Sequence, residues 1–365
     1  MNRRQLLKQS ALFSAAFAFS RDLFAREFDH LTDTPGGSGF IRLGSNENPH
    51  GPSASAKKAM MNAVAGSNRY PWEATGRLME KIGKMYGLTM DHVAIGAGSS
   101  ELLGVVSFMA ALKNGNAVAP DPTFRAWMPA AKKAGLTVKL VPLMDGKQID
   151  LQRMKDSIDA DTKMVYLCNP ANPTGNVLPA NDLETFIKDV TPKCFILLDE
   201  AYTEFSDEPS MAKWVNDYPN LIIAKTFSKV YGMAGARVGF SLSHPKTTEQ
   251  INDLQPWANA GASAVSVAGA IASLDDQPFV ANCKNENKKA RAIFCSALEK
   301  TGMPCIRSHT SFVYFDSTNF RKDVGQLLES HQVIGARSFE QGSKWLRLSV
   351  GTVKEMQTVA DILTA

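Results

Sequence analysis

The sequence has little of the features that mark specialised classes of protein. Its 40 lysines and arginines against 36 aspartates and glutamates leave a net charge of only +4, too small to argue for a nucleic-acid partner. Five cysteines without a CxxC pair indicate no full disulfide framework, and six histidines without ligand spacing predict no metal site. The chain has no internal repeat and no low-complexity tract. Its 365 residues, 44% of them hydrophobic, are typical of a globular protein with two or three domains, or one large one.

The start of the chain has the composition of an export signal. Arg3 and Arg4 precede a short apolar run over residues 11–20, and the small residue Ala25 follows. The run is too short to span a bilayer, so no membrane partner is expected beyond the export machinery. The paired arginines resemble a bacterial twin-arginine signal, which predicts a periplasmic protein. The alternative is a basic, amphipathic first helix in a cytoplasmic protein.

Short apolar runs alternate with helical patterns between about residues 90 and 243. Because the runs are continuous rather than alternating, they predict strands that are covered on both faces, in a mainly parallel sheet flanked by helices. We expect strands within residues 93–95, 117–119, 137–143, 164–167, 195–198, 221–224 and 238–242.

The pattern changes after about residue 256, where long helical stretches frame strands within residues 311–316 and 346–350. We therefore predict an α/β fold with a large domain and a smaller C-terminal α/β domain. The predicted division is an export signal (1–25), an N-terminal arm (26–55), a large cofactor-binding domain (56–255) and a small domain (256–365).

Four polar or glycine-rich clusters follow apolar runs. An open α/β sheet would place them at the carboxyl ends of its strands, where ligands bind. Residues 96–101 (GAGSSE) lead into a helical pattern and present free N–H groups suited to a phosphate. Residues 169–175 (NPANPTG) form a rigid turn, Asp199 ends an apolar run, and residues 225–237 place lysines and hydroxyl groups around a glycine-rich turn. Each cluster alone also fits a structural role, as a helix cap, a turn or a solvated surface.

Together these clusters supply the groups that pyridoxal phosphate needs, namely a lysine, a carboxylate for the ring nitrogen, and cationic and N–H groups for the phosphate. The chain resembles fold-type-I pyridoxal-phosphate aminotransferases, from about residue 40 to 352, through the motifs NPANPTG, LLDEAY, KTFSKVYGMAGARVGF and WLRLSVGT. The likeness narrows to the histidinol-phosphate aminotransferase branch through SNENPHGPS at 45–53 and NRYPW at 68–72.

The resemblance implies roles for residues around the cofactor. Lys229 would form the Schiff base and move the substrate proton, Asp199 would pair with the ring nitrogen, and Tyr202 and Asn172 would bond the ring oxygen. The residues implied at the cofactor phosphate are Ser99, Ser100, Ser228 and Arg237. Phe124, where many relatives have Tyr, would stack on the cofactor ring. Tyr70 would reach the phosphate of the partner subunit's cofactor, which implies a homodimer.

The resemblance also implies an amino donor and a 2-oxo acid as substrates. Arg347 would bind the substrate α-carboxylate through a bidentate guanidinium. Arg337 would face a distal anionic group of the donor, and its alternative role is that of a solvated surface cation. Asn48, in the motif at 45–53, is the third predicted substrate-binding residue.

Two other functions compete with transamination. A decarboxylase or lyase of the same fold would share the cofactor motifs, because the cofactor rather than the protein supplies the electron sink. A non-catalytic binding protein on this scaffold is the second alternative. Intact Lys229, Asp199 and Arg237 argue against it.

Overall fold

The apolar runs of the sequence become strands in the computed structural model, which describes residues 39–365. The predicted export signal and most of the predicted arm lie outside the described residues. The strands are β1 (Ile41–Arg42), β2 (Val93–Gly96), β3 (Asn116–Asp121), β4 (Thr137–Pro142), β5 (Thr162–Cys168), β6 (Phe195–Asp199), β7 (Leu221–Thr226), β8 (Gly239–Ser243), β9 (Phe312–Asp316), β10 (Val333–Ile334) and β11 (Trp345–Ser349).

Seven of these strands form one sheet in the order β2-β8-β7-β6-β5-β3-β4. Strand β8 runs antiparallel to both its neighbours, β2 and β7, and the other neighbouring pairs are parallel. The central strands β5, β6 and β7 are almost entirely buried, whereas β4 at the edge is largely open to solvent. The predicted fold class, an α/β fold with a mainly parallel central sheet, is confirmed.

Helices cover both faces of the sheet, as the continuous apolar runs predicted. In β6, Ile196 and Leu198 belong to one hydrophobic cluster, and Phe195 and Leu197 belong to a second. Alternate residues of a strand point to opposite faces, so the two clusters are the cores on the two sides of the sheet. Cys168 and Cys194, in and next to these strands, are buried as well.

The helices follow the strands in the alternation that the sequence predicted. They are α1 (Ala54–Ala63), α2 (Trp72–Met85), α3 (Ser99–Ala111), α4 (Met128–Lys133), α5 (Leu151–Asp156), α6 (Ala180–Val190), α7 (Pro245–Leu254), α8 (Ala264–Asp275), α9 (Gln277–Lys300), α10 (Val324–Ser330) and α11 (Val353–Thr364). No helix within residues 39–365 is both long and apolar enough to cross a bilayer.

A second sheet follows α9, where β9 and β11 pair antiparallel with Arg347 opposite Tyr314. Helix α11 begins at a capping box, in which Thr352 and Glu355 satisfy each other's backbone N–H groups. Residues 42–365 pack as one compact unit. The predicted domain boundaries at 55/56 and 255/256 remain predictions.

Candidate active site

The topology of the large sheet gathers the polar clusters at one edge. The parallel strands β2, β5, β6 and β7 all end there, so the segments that follow them lie side by side. Strand β8 runs the other way and therefore starts at this edge, which places Arg237, two residues before it, beside the other clusters. A reversed strand thus contributes a cation that a purely parallel sheet would direct elsewhere.

Asp199 is a buried carboxylate at the end of β6, with only 3% of its surface exposed. Its Oδ2 accepts a hydrogen bond from the Tyr166 hydroxyl at 3.0 Å, and its Oδ1 accepts one from the Ala201 N–H at 3.1 Å. Burial raises the pKa of Asp199 to about 6. Within residues 39–365 it forms no ion pair, so this edge of the sheet holds a buried acid suited to a cationic ligand.

Lys229 follows β7 and is half-buried. Its Nζ donates to the carbonyl of Ser45 at 3.1 Å and lies 5.7 Å from the centre of the Tyr202 ring. Burial, together with the nearby positive charge of Arg347, lowers the pKa of Lys229 to about 8. A sizeable neutral fraction of the amine therefore exists near neutral pH, as a nucleophile or a general base requires.

The hydroxyl of Tyr202 receives two amide donors. Asn46 Nδ2 donates to it at 2.9 Å and Asn172 Nδ2 at 3.5 Å, while the ring packs edge-on against Phe312. Burial raises the pKa of Tyr202 above its usual value, so the hydroxyl stays protonated and can donate to an acceptor of its own. The structure thus brings together Tyr202 and Asn172, as predicted, and adds Asn46.

Glycines allow a cup of donors to form beside Lys229. Arg237, in the left-handed region at φ 54°, directs one guanidinium nitrogen to the Ser228 hydroxyl at 3.4 Å and the other to the Ala97 carbonyl at 3.2 Å. A Cβ on Gly98 would lie 2.3 Å from this guanidinium, and one on Gly239 would lie 2.4 Å from the Ser99 backbone nitrogen. Only glycine permits these close approaches.

The first turn of α3 completes this cup. Ser99 and Ser100 are its first residues, and Gly98 before them provides no side-chain cap. The helix N-terminus therefore offers backbone N–H groups and a partial positive charge next to Arg237 and Ser228. Hydroxyl, N–H and guanidinium donors in one place suit a phosphate, so these residues fit the phosphate of the expected cofactor as Asp199 and Lys229 fit its ring.

Arg347 on β11 is a buried cation, with 3% of its surface exposed. One of its terminal nitrogens donates to Asn172 Oδ1 at 2.6 Å and the other to the Gly44 carbonyl at 2.8 Å, while its Nε is buried without a partner. Burial lowers the pKa of Arg347 to about 10. It forms no ion pair with a carboxylate of residues 39–365, so an anionic ligand would compensate its charge.

Arg337 lies next to Arg347 because the two residues pair through their backbones. Arg347 N–H donates to the Arg337 carbonyl at 2.9 Å, and Arg337 N–H donates back at 3.3 Å. Both guanidinium groups pack on the ring of Phe339, at 4.4 Å for Arg347 and 5.2 Å for Arg337. Arg337 is exposed. The two predicted anion-binding residues are thus brought together, one buried and one open to solvent.

The segment that carries Arg337 is anchored by an ion pair. Lys147 Nζ contacts both carboxylate oxygens of Glu340, at 2.8 and 2.9 Å, and the Tyr314 hydroxyl donates to the same carboxylate at 2.6 Å. No local sequence pattern indicates a role for Glu340 or Lys147, because the two residues are 193 positions apart.

Three predicted site residues lie apart from these groups or are engaged otherwise. Asn48 lines a small cavity with Lys229, but its Nδ2 donates to the Val230 carbonyl at 2.7 Å and to the Cys283 sulfur at 3.3 Å. Phe124 is half-buried against one sheet core. Tyr70 is 67% exposed and belongs to an aromatic cluster with Trp72 and Trp257, at ring distances of 5.3 and 5.0 Å.

Comparison with known proteins identifies related chains. Residues 38–363 match the family described as aminotransferase class I and II. The histidinol-phosphate aminotransferase of Symbiobacterium thermophilum is 33% identical over 89% of this chain and 90% of its own length. Histidinol-phosphate aminotransferase 1 of Dechloromonas aromatica is 31% identical over 86% of both chains.

Solved structures show the same relationship. Histidinol-phosphate aminotransferase from Sinorhizobium meliloti, in complex with pyridoxal-5'-phosphate, is 27% identical with a TM-score of 0.82 and covers 89% of each chain. L-threonine-O-3-phosphate decarboxylase from Porphyromonas gingivalis has a TM-score of 0.74 at 16% identity over 88% of this chain and 98% of its own. At that identity the likeness shows a shared fold and nothing about the reaction.

Proposed function

Because the chain belongs to the class I and II aminotransferases and is a pyridoxal-phosphate-dependent transaminase, we propose that its amino donor carries a phosphate or a second carboxylate. The donor would pass its amino group to a 2-oxo acid. Histidinol phosphate, after which the relatives at 31% and 33% identity are named, is such a donor. The observation that carries this proposal is the pair of guanidinium groups, Arg337 and Arg347, packed on the ring of Phe339.

The described residues account for how the cofactor would be held. Ser99, Ser100, Ser228 and Arg237 would bind its phosphate, and Asp199 would pair with its protonated ring nitrogen. When bound, pyridoxal phosphate supplies the electron sink for the charge that develops at the donor α-carbon. In the described part of the chain, Asp199 is a carboxylate buried without a cation in the cofactor-free protein. The positive ring nitrogen would pair with it and so offset the free-energy cost of burying its charge.

Three further residues would act on the ring oxygen and on the reacting carbon. Tyr202, held by two amide donors, keeps its proton and can donate to the ring oxygen, with Asn172 beside it. Lys229 Nζ would hold the aldehyde carbon of the cofactor. After its release by the donor, the same amine is the group placed to take and return the proton at the donor α-carbon. Its lowered pKa suits both tasks.

The two arginines would bind different anionic groups of the substrate. Arg347 is fixed by Asn172 and Gly44, so it can bind the α-carboxylate of an amino-acid donor. Arg337 is exposed and held mainly by its backbone and by Phe339, so it can bind the other anionic group, either a side-chain carboxylate or the phosphate of a donor such as histidinol phosphate.

Steady-state kinetics of Arg337→Ala test this division. A charged hydrogen bond contributes roughly 1.5–3 kcal/mol, so kcat/KM for histidinol phosphate or a dicarboxylic donor should fall about 10- to 100-fold. A neutral aliphatic donor should be affected less than about twofold, and Arg321→Ala, an exposed arginine elsewhere, should leave both donors unchanged. Equal losses for both donor classes would make Arg337 structural and refute the proposed substrate class.

We further infer that the active enzyme is a homodimer in which Tyr70 reaches the cofactor phosphate of the partner subunit. The exposed cluster of Tyr70, Trp72 and Trp257 supports an interface at this surface, because large aromatic side chains are enriched in protein contacts. Sedimentation should give twice the chain mass, and Tyr70→Phe should weaken cofactor binding without changing that mass. A monomer with full activity would refute the inference.

A further inference from the structure

Two of the five cysteines lie against each other at the C-terminal end of α9. The Cys295 thiol donates a hydrogen bond to the sulfur of Cys305, which lies five residues beyond the end of the helix. Both side chains are half-buried, whereas Cys168, Cys194 and Cys283 are buried. No sequence motif indicates this pair, because the ten-residue spacing matches no common cysteine pattern.

The backbone explains why the two thiols meet. Cys305 pairs antiparallel with Phe315 of β9, and Ile306 N–H donates to the Tyr314 carbonyl at 2.9 Å. Directly opposed residues of an antiparallel pair point to the same face, so Cys305 points to the side of Phe315. The Phe315 ring packs edge-on, at 5.5 Å, against Phe294 of α9. The face that carries Cys305 is therefore the face covered by the helix turn that carries Cys295.

We propose that Cys295 and Cys305 form a disulfide-forming site that is oxidised by exchange with a small-molecule disulfide such as oxidised glutathione. In the first step the Cys305 thiolate attacks one sulfur of that disulfide, forms a mixed disulfide and releases one glutathione thiolate. In the second step Cys295 gives up its proton and attacks the Cys305 sulfur, which releases the second glutathione. The two protein thiols are thereby oxidised and one glutathione disulfide is reduced to two thiols.

The local chemistry assigns the order of attack. The hydrogen bond from Cys295 lowers the pKa of Cys305 to about 7, and the same bond raises the pKa of Cys295. Cys305 is therefore the thiol that ionises more readily, and we assign it as the first nucleophile. Cys295 is the resolving thiol, already in contact with the sulfur that it must attack. In an oxidising compartment, to which the predicted export signal would deliver the chain, a disulfide persists once it has formed.

Oxidation would join the end of α9 to the chain that pairs with β9 and would close a short loop around residues 296–304. None of the residues placed in the cofactor or substrate sites lies in this loop. A crosslink restricts the unfolded chain, so the thermal midpoint should rise by about 5 °C in the oxidised protein. Transaminase activity should be unchanged by it.

Peptide mapping of the intact holoenzyme tests the proposal. After incubation with oxidised glutathione and quenching of free thiols, trypsin cuts after Arg291, Lys300 and Arg307. The expected product is peptide 292–300 joined to peptide 301–307, which separate on reduction. Free Cys295 and Cys305 after this treatment, or a stable glutathione adduct on Cys305 of the wild type, would overturn the proposal.

Serine variants test the order of attack separately. Cys295→Ser should accumulate glutathione on Cys305, because no resolving thiol remains, and Cys305→Ser should leave Cys295 unmodified. Cys283→Ser, a buried thiol, serves as the matched control and should still form the 295–305 crosslink. Glutathione on Cys295 in Cys305→Ser, at the rate seen for Cys305, would contradict the assignment of Cys305 as the nucleophile.

Discussion

Replacing Asp199 with Asn should stabilise the cofactor-free protein while weakening its hold on the cofactor. Asn can keep both hydrogen bonds of Asp199, because its Oδ1 can accept from Ala201 N–H and its Nδ2 can donate to the Tyr166 hydroxyl. The substitution therefore removes little except the charge. Since that charge is buried without an ion-pair partner in the described chain, removing it relieves a cost.

The size of this effect follows from the pKa of Asp199, which rises from 3.8 to about 6 on folding. Between these two values the folded chain binds more protons at this site than the unfolded chain does, so stability falls as pH rises through the window. One pKa unit corresponds to about 1.4 kcal/mol, which gives a cost of about 3 kcal/mol above the folded pKa. About half of that cost is already present near pH 5.

Urea unfolding of the cofactor-free proteins measures the difference. Asp199→Asn should raise the free energy of unfolding by up to about 3 kcal/mol near pH 8 and by about 1.5 kcal/mol near pH 5. Asp189→Asn, which breaks an exposed pair with Lys155, should leave the free energy of unfolding nearly unchanged at both pH values. An Asp199→Asn protein that is less stable than the wild type near pH 8, or a difference that does not depend on pH, would refute the argument.

Three further predictions concern the phosphate cup, the Lys229 amine and the N-terminal arginines. Gly98→Ala should raise the Kd for pyridoxal phosphate at least about tenfold, because the added Cβ would collide with the Arg237 guanidinium. Gly104→Ala, which has open space around it inside α3, is the control and should leave this Kd unchanged. Stopped-flow absorbance should show that cofactor incorporation speeds up with pH and levels off above about 8, as the Lys229 amine loses its proton; a rate that falls over this range would contradict that role. Replacing Arg3 and Arg4 with Lys should retain the protein in the cytoplasm on cell fractionation, and unchanged export would remove the signal interpretation.

The strands of the large sheet could be predicted because burial on both faces leaves a continuous apolar run. Their directions could not. The run that becomes β8 carries no sign of its direction, and only the tertiary structure shows that it is reversed and so brings Arg237 to the ligand edge. The sequence also does not show that β4 lies at the edge of the sheet, because the exposure of a strand depends on which strands lie beside it.

The candidate site was predictable where its residues sit in local motifs. The predicted clusters lie at or just after the ends of strands and therefore indicate the ligand edge directly. They contain Lys229, Asp199, Asn172 and the start of α3. Tyr166 was not found, because it lies inside an apolar strand and its hydroxyl matters only through the contact with Asp199.

The motif at residues 45–53 shows a related limit of the sequence. The motif predicts Asn48 as a substrate-binding residue, and the structure also directs Asn46 at the Tyr202 hydroxyl. The sequence does not show which of these two asparagines contacts Tyr202, because that depends on how the turn folds.

The central claim is that Lys229 is the residue that holds pyridoxal phosphate. Borohydride reduction of the purified holoenzyme should attach the cofactor to Lys229 irreversibly and block tryptic cleavage at that residue. The label should then appear in the peptide 226–237, which ends at Arg237. Lys225, buried in an ion pair with Glu204 at 3.0 Å, is the internal control and should remain unlabelled and cleavable after denaturation. Label on any other lysine, or a purified protein that binds no cofactor, would contradict the account.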